Sequence, residues 1–361
     1  MALSIGVLLG DDIGLEVVPE AVKVMKAAAR KTHFTDRSSW AKRLAGRPVE
    51  AVQAVERVDL DINRGEVMGL VGESGSGKTT LGRTILNLVR ATSGTITLDG
   101  RDVTRLPRRE WRSLRGNAQM VFQDPYSSLS PRLRVSYLLT EPYTINNTPE
   151  AERYSVNELL EMVGLSAEQA GRYPHELSGG QARRVGIARA LALRPHFVIA
   201  DEPTSGLDVS AASSVLNLMK DLGRQLGLTY LIITHNLNTL GYVADRIAVM
   251  YLGRIVEVGT AAAIFDRPAH PYTRALLSAV PEPDPRLRAS EQLILLPGEI
   301  PSPRHPPPGC RFHTRCAFAE QRSREEEPEL ETIEPSHEVA CHFWRKVRAA
   351  DTVPEPTERV P

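Results

Sequence analysis

The run Gly72-Glu73-Ser74-Gly75-Ser76-Gly77-Lys78-Thr79 has the G-x-x-x-x-G-K-[ST] spacing of a loop that grips a polyphosphate. Glycines there let successive main-chain N–H groups turn inward without Cβ clashes, and a following helix adds partial positive charge at its N-terminus. Lys78 offers a point charge to the β- and γ-phosphates, and the Thr79 hydroxyl, followed by Thr80, can ligate Mg²⁺. A chance glycine-serine turn would match the spacing but would lack the apolar strand ending at Val71 and the helix that follows the loop. A nucleoside triphosphate site is therefore expected.

A second group of residues supplies the hydrolytic chemistry. Phe197-Val198-Ile199-Ala200-Asp201-Glu202 is an apolar run ending in two acids. Taken alone it is a strand meeting solvent. Downstream of a phosphate loop, Asp201 suits the Mg²⁺ shell and Glu202 suits a general base that polarises the attacking water. Leu177-Ser178-Gly179-Gly180-Gln181 opens a helix expected to run from Gln181 to Leu193, presenting N–H groups at another dipole-positive end. One phosphate loop has no geometric need of a second such turn. A head-to-tail dimer does, because each partner's turn then closes over the γ-phosphate on the other's loop.

These residues need a scaffold of alternating strands and helices. Short apolar runs predict strands at Glu66–Val71, Gly94–Leu98, Ala118–Phe122, Phe197–Asp201, Tyr230–Thr234, Arg246–Tyr251 and Arg254–Gly259, separated by amphipathic helical stretches. Before this region, Ser4–Leu9 reads as a strand, about Pro19 to Arg30 as a helix, and Lys31–Pro48 as a basic loop. Beyond Arg267 the composition shifts: sixteen of the 26 prolines lie there, marking a separate loop-rich module. The expected organisation is residues 1–30, an ATPase domain at 31–265 with a helical subdomain at about 126–190, a module at 266–345 and a disordered tail at 346–361.

Bulk composition excludes several classes. The 44 basic residues balance 44 acidic ones, so there is no basic excess of the kind a nucleic-acid binder carries. No stretch is long and apolar enough to span a bilayer, and the N-terminal apolar window is broken by Asp11, Asp12, Glu16 and Glu20. The expected location is the cytosol, with any membrane contact made through a partner. Three cysteines, all late in the chain, argue against a disulfide framework.

The motifs occur in the order found in ABC ATPases, and residues 49–265 resemble that family. The resemblance implies an α/β fold: a P-loop NTPase with a RecA-like core, an ABC-type antiparallel β subdomain and a helical signature subdomain. It implies ATP and Mg²⁺ as cofactors, with Gln123 reaching the metal beside Thr79 and Asp201. It assigns Ser178, Gly179, Gly180 and Gln181 to the partner's nucleotide, Asp208 in Ser205-Gly206-Leu207-Asp208 to communication across the dimer, and His235 to the γ-phosphate. Two departures stand out. Asn236 follows the histidine where the family usually has Asp, and no aromatic lies between Trp40 and Trp111 to stack on adenine. Phe34, Trp40 or an aliphatic side chain must serve instead.

Three further stretches are similar to ATPases of oligopeptide and dipeptide importers: Val121–Leu129, His270–Leu277 and Gly309–Cys316 with His337–Cys341. This implies a Pro- and Cys-containing C-terminal module, a second ATPase subunit (identical or related), two transmembrane permease subunits and, indirectly, an extracytoplasmic peptide-binding protein. Residues Gln123–Leu139 should grip the membrane subunits. An importer for nickel or another small solute shares most of these motifs. A soluble ABC ATPase of translation or DNA repair is the reading from another class, but such chains usually carry two cassettes or a long coiled coil.

Members of the resembled subfamily commonly have four cysteines here, a set suited to an iron–sulfur cluster. Here Cys310, Cys316 and Cys341 are present, and Ser323 stands where the fourth is expected. A nearby His (His313, His337 or His342) could complete a metal set; the other reading is plain reduced cysteines in a small Pro-rich module, favoured by the missing ligand. Finally, Ile5–Val18 resembles the opening of isopropylmalate/isocitrate-type dehydrogenases, without any of their downstream site residues. It reads as a gene-fusion or start-site remnant.

Overall fold

The computed structural model describes residues 22–31, 52–280 and 293–350. Two sheets organise them. The smaller is antiparallel, in the order β2-β1-β4-β5, with β1 at Val22–Lys31, β2 at Val52–Ile62, β4 at Ser93–Leu98 and β5 at Arg101–Asp102. The larger has eight strands in the order β11-β12-β10-β9-β3-β8-β7-β6. Its parallel part joins β9 (Arg246–Tyr251), β3 (Val67–Val71), β8 (Thr229–Thr234), β7 (Phe197–Asp201) and β6 (Ala118–Val121). Antiparallel strands β10 (Arg254–Thr260), β12 (His337–Val339) and β11 (Glu331–Glu334) extend it.

The parallel strands are continuous apolar runs because both faces are covered. In β7, Val198 and Ala200 point into one core together with Leu138, Leu159, Val185 and Leu216 from the helices. Phe197 and Ile199 point into the other, with Leu81 and Ile85 and with Val58, Leu60 and Ile96 of the smaller sheet. Asp201 shares the parity of Phe197 and Ile199, so it ends the strand on the face covered by the helix Lys78–Ile85. That helix sits close because Gly82 has no side chain: a Cβ there would lie 2.9 Å from Ile233.

All seven predicted strands of the ATPase region form, within a residue at either end. The opening differs. The helix expected from Pro19 to Arg30 is replaced by β1, which lies between β2 and β4 and pairs with both. Three consecutive alanines favour a helix locally. The alternation Val22-x-Val24 together with two open strand edges outweighs that propensity, and the register shifts around Ala27 and Ala29 show where the alanine run fits poorly. The Ser4–Leu9 strand, the Ile5–Val18 resemblance and the expected loop from Lys31 to Pro48, apart from Lys31 itself at the end of β1, lie outside the described residues. At the other end, the helix Trp344–Ala349 takes up the first residues of the expected tail, and residues 351–361 lie outside the described set. Among the described residues no helix is long and apolar enough to cross a membrane.

The C-terminal module is fastened to the ATPase sheet by a buried polar network. Glu257 of β10 accepts hydrogen bonds from the amides of Ala269 (2.6 Å) and His270 (3.0 Å) and from His337 Nε2 (2.8 Å). Arg348 donates to His337 Nδ1 at 2.9 Å, which fixes the ring proton on Nε2. His270 in turn caps the helix Pro271–Ser278, its Nδ1 accepting from the Tyr272 amide. Full burial pushes the His270 pKa down from 6.5 to about 4. The folded state thus favours neutral His270, and this contribution to stability is complete above pH 6.5 and is lost as the pH falls toward 4. His270→Asn keeps a cap acceptor without the titration. Its denaturation midpoint, compared at pH 7 and pH 4.5, is expected to fall less than that of the parent chain, and equal falls would refute the assignment.

Candidate active site

One cavity brings most of the predicted residues together. It is lined by Gly72, Glu73, Ser74, Gly75, Gly77, Lys78, Thr79, Thr80, Gln123, Glu202 and His235. The phosphate loop is shaped by glycines that nothing else can replace. Gly72 has φ 156° and a Cβ there would lie 2.0 Å from the Met250 carbonyl; Gly77 has φ 106° and a Cβ would lie 2.1 Å from the Ala54 carbonyl. β9 and β2 therefore set the path of the loop from behind.

Lys78 begins the helix and curls back over the loop, donating to the carbonyls of Gly72 (2.6 Å) and Glu73 (2.9 Å). Burial lowers its pKa, opposed by the charges of Glu202, Asp201 and Glu73. An ammonium held on neutral carbonyls in a partly dry site is poised to exchange them for phosphate oxygens. The Thr79 hydroxyl donates to Asp201 Oδ1 at 3.0 Å. Burial lifts the Asp201 pKa, partly offset by that hydrogen bond. A hard oxygen pair of this kind suits Mg²⁺, whose charge would reverse the shift, and exposed Gln123 stands at the same cavity. The donor set fits both the polyphosphate and the cation.

Glu202 follows Asp201 with a positive φ of 50°, unusual for a non-glycine residue. Its amide is anchored to the Ile233 carbonyl at 2.7 Å, so the strain is held by the neighbouring strand. The turn aims the carboxylate into the cavity. Oε1 is 2.8 Å from His235 Nδ1, and Oε2 accepts from the Thr234 hydroxyl at 3.3 Å. A carboxylate so oriented can take a proton from water, and the largely exposed His235 can reach a phosphate from the rim. Asn236 caps the helix Leu237–Val243 through Thr239, so the departure from Asp preserves the cap and removes a charge.

Ser178, Gly179, Gly180 and Gln181 do not line this cavity. They form a capping box at the start of the helix Gly179–Leu191, with the Ser178 amide bonded to Gln181 Oε1 and the Gln181 amide to Ser178 Oγ. Asp208 likewise lies apart, capping the helix Val209–Leu226. Phe34 and Trp40, the aromatics expected to serve adenine, are outside the described residues, and the apolar lining of the cavity among the described residues is aliphatic: Val52, Ala54, Leu276 and Pro303.

Sequence reasoning missed Arg183. Only 3% exposed, it donates to three carbonyls: Gln123 (2.6 Å), Ser205 (2.8 Å) and Glu202 (3.3 Å). One guanidinium thus ties together the loops that carry the glutamine, the base and the Ser205–Asp208 segment. The available signal was a charge on the buried face of its helix, between Ala182 and Val185.

The cysteines are free and half-buried. The Ser323 carbonyl accepts from the Cys310 amide at 2.8 Å. Burial pushes both the Cys316 and the Cys341 thiols up to about 12. Among the described residues no group of three or more His, Cys, Asp or Glu is arranged to hold a metal ion.

The ABC transporter family model matches residues 55–205, and that for the oligopeptide/dipeptide transporter C-terminal region matches residues 256–322. The chain is 48% identical over 305 residues to the putative oligopeptide transport ATP-binding protein YkfD of Bacillus subtilis (strain 168), spanning 84% of this chain and 93% of that protein. It is 46% identical over 317 residues to the oligopeptide transport ATP-binding protein AppF of the same organism, spanning 87% and 95%. Among solved structures, the dimeric ATP-binding cassette MJ0796 bound to ADP and Pi superposes with a TM-score of 0.57 at 27% identity, covering 66% of this chain and 98% of that one. The chain belongs to the ABC transporter ATP-binding family, in the branch that carries the oligopeptide/dipeptide transporter C-terminal region.

Proposed function

We propose that this protein is the ATP-hydrolysing subunit that powers import of oligopeptides or dipeptides. The observation that carries the reading is the joining, in one chain, of a complete hydrolytic constellation with a C-terminal region of the peptide-transporter type. Similarity to oligopeptide transport ATP-binding proteins over more than nine-tenths of their length supports it.

In this reading Lys78 and the loop amides bind the phosphates, and Thr79, Asp201 and Gln123 hold the metal. Mg²⁺ held there would neutralise charge on the phosphates. Glu202 accepts the proton of the attacking water, and His235 orients the γ-phosphate. Ser178 and Gly180 of a second ATPase subunit close the site from across a dimer, and Asp208 relays the state of one site to the other. Closure and reopening of that pair drive two membrane permease subunits, fed by an extracytoplasmic binding protein, with the ATPase peripheral on the cytoplasmic face.

Docking onto the permeases falls to the surface near Gln123–Leu139. Phe122, Tyr126, Tyr137 and Ile145 expose 39%, 43%, 53% and 50% of their area there. A groove between Pro125, Pro142, Ile145 and Leu193 opens among them. Exposed aromatics beside a groove suit an inserted helix. Tyr137→Glu is expected to abolish co-purification with membrane subunits while leaving ATP binding by the isolated chain within about twofold; retained co-purification would refute this surface.

The function itself is tested by reconstituting the chain with its membrane subunits in vesicles and measuring ATP-dependent uptake of labelled di- and oligopeptides. Peptide uptake supports the reading. Uptake of nickel but not peptide, or association with ribosomes or DNA-repair proteins in place of membrane subunits, overturns it.

A further inference from the structure

The C-terminal module reaches the phosphate loop directly. Arg315, at the end of the short turn His313–Arg315, forms a two-pronged ion pair with Glu73, at 2.8 Å to Oε2 and 3.3 Å to Oε1. The arginine side chain is only 7% exposed. The amide of the same Glu73 donates to the hydroxyl of Tyr272 at 2.8 Å, and its carbonyl accepts from Lys78 Nζ at 2.9 Å. Side chain, amide and carbonyl of one loop residue are thus each fixed, two of them by residues beyond 265.

The support behind these contacts is a buried aromatic cluster. Phe312, 1% exposed, meets Tyr251 edge-on with ring centroids 5.2 Å apart, and Tyr251 and Tyr272 lie 4.8 Å apart. Tyr251 ends β9, next to the Met250 carbonyl that abuts Gly72. Arg311 adds a second tie, pairing with Glu56 of β2, the strand whose Ala54 carbonyl abuts Gly77. Leu276, one helical turn beyond Tyr272, and Pro303 form part of the cavity wall.

We propose that Arg315 is a positioning residue for ATP binding, acting through Glu73 to hold the phosphate loop and the Lys78 ammonium in the form that receives the phosphates. Tyr272 assists it, so the C-terminal module sets nucleotide affinity as well as contributing to the fold. The inference rests on the nucleotide-site reading above. Loss of the arginine would free the Glu73 carboxylate, which lies close enough to Lys78 to compete with the phosphates for its charge.

The test titrates the full chain and its variants with a fluorescent ATP analogue and measures steady-state ATPase activity in parallel. Binding by the parent chain, abolished in Lys78→Ala, establishes the nucleotide site independently of the proposal. Arg315→Ala is then expected to weaken binding about tenfold, to raise KM similarly and to leave kcat at saturating ATP within about threefold, because the chemistry is untouched. Arg315→Lys should recover part of the affinity. In a Glu73→Gln background, Arg315→Ala should cost little more, since the two act as a unit. Unchanged affinity in Arg315→Ala, or an equal further loss in the Glu73→Gln background, overturns the proposal. Should Arg315→Ala fail to fold, Tyr272→Phe decides: it keeps the packing and removes the acceptor of the Glu73 amide, so affinity should fall about threefold, and no change overturns the idea.

Discussion

Glu202→Gln should reduce ATP turnover by about 10²–10⁴-fold while leaving ATP binding intact, the expected result of removing a general base without disturbing its surroundings. The amide is isosteric with the carboxylate. It can still accept from the Thr234 hydroxyl and keep its contact with His235. The backbone anchor from the Glu202 amide to Ile233 and the positive φ are equally unaffected. What is lost is an oxygen basic enough to take a proton. Because bound ATP is then not consumed, the variant should accumulate as a nucleotide-loaded pair, measurable by size-exclusion chromatography with ATP. Turnover within about threefold of the parent chain would remove Glu202 from its role.

The second large effect is expected at Arg183. Arg183→Met preserves much of the buried volume but leaves the carbonyls of Gln123, Glu202 and Ser205 without their shared donor. A hydrogen bond from a charged donor contributes about 1.5–3 kcal/mol, and here several converge on the segments that place the metal ligand and the base. Turnover should fall about 10–100-fold, with ATP affinity reduced far less, since the phosphate loop makes no contact with this arginine that the structure records. Arg183→Lys should rescue poorly, because an ammonium lacks the fork that spans three acceptors. Steady-state kinetics beside thermal denaturation separates this outcome from simple unfolding. Equal losses in affinity and turnover would point to a structural role alone.

How far these conclusions could be read from residues depends on the range of the interaction. The phosphate loop, the acidic strand end and the Ser178–Gln181 turn are each contiguous, so spacing alone exposes them, and the strands leading into the first two are largely apolar runs of five residues. Contacts between distant segments leave no such trace. Arg183 reaches across 60 residues to Gln123, and Arg315 reaches across 242 to Glu73. In sequence each is one more arginine among the 44 basic residues. β2 escaped for a different reason: its second half alternates buried and exposed positions, and its first half is half-buried against the loop, so no clean apolar run marks it. β1 shows the opposite error, since an alanine-rich stretch carries a local helical preference that strand pairing overrides.

β1 occupies an interior place in the smaller sheet, flanked by β2 and β4. Strand pairing is made by main-chain N–H and C=O groups that nearly every residue type possesses, so such a place can be filled by segments of unrelated ancestry. A recombination event need only deliver an extended stretch of adequate length to keep the sheet closed. The opening strand of this protein is therefore a place where sequence can change while main-chain pairing is kept: the catalytic loops are shaped by β2 and β9, and β1 supports them by pairing with β2 and by lying against the helix Lys78–Ile85.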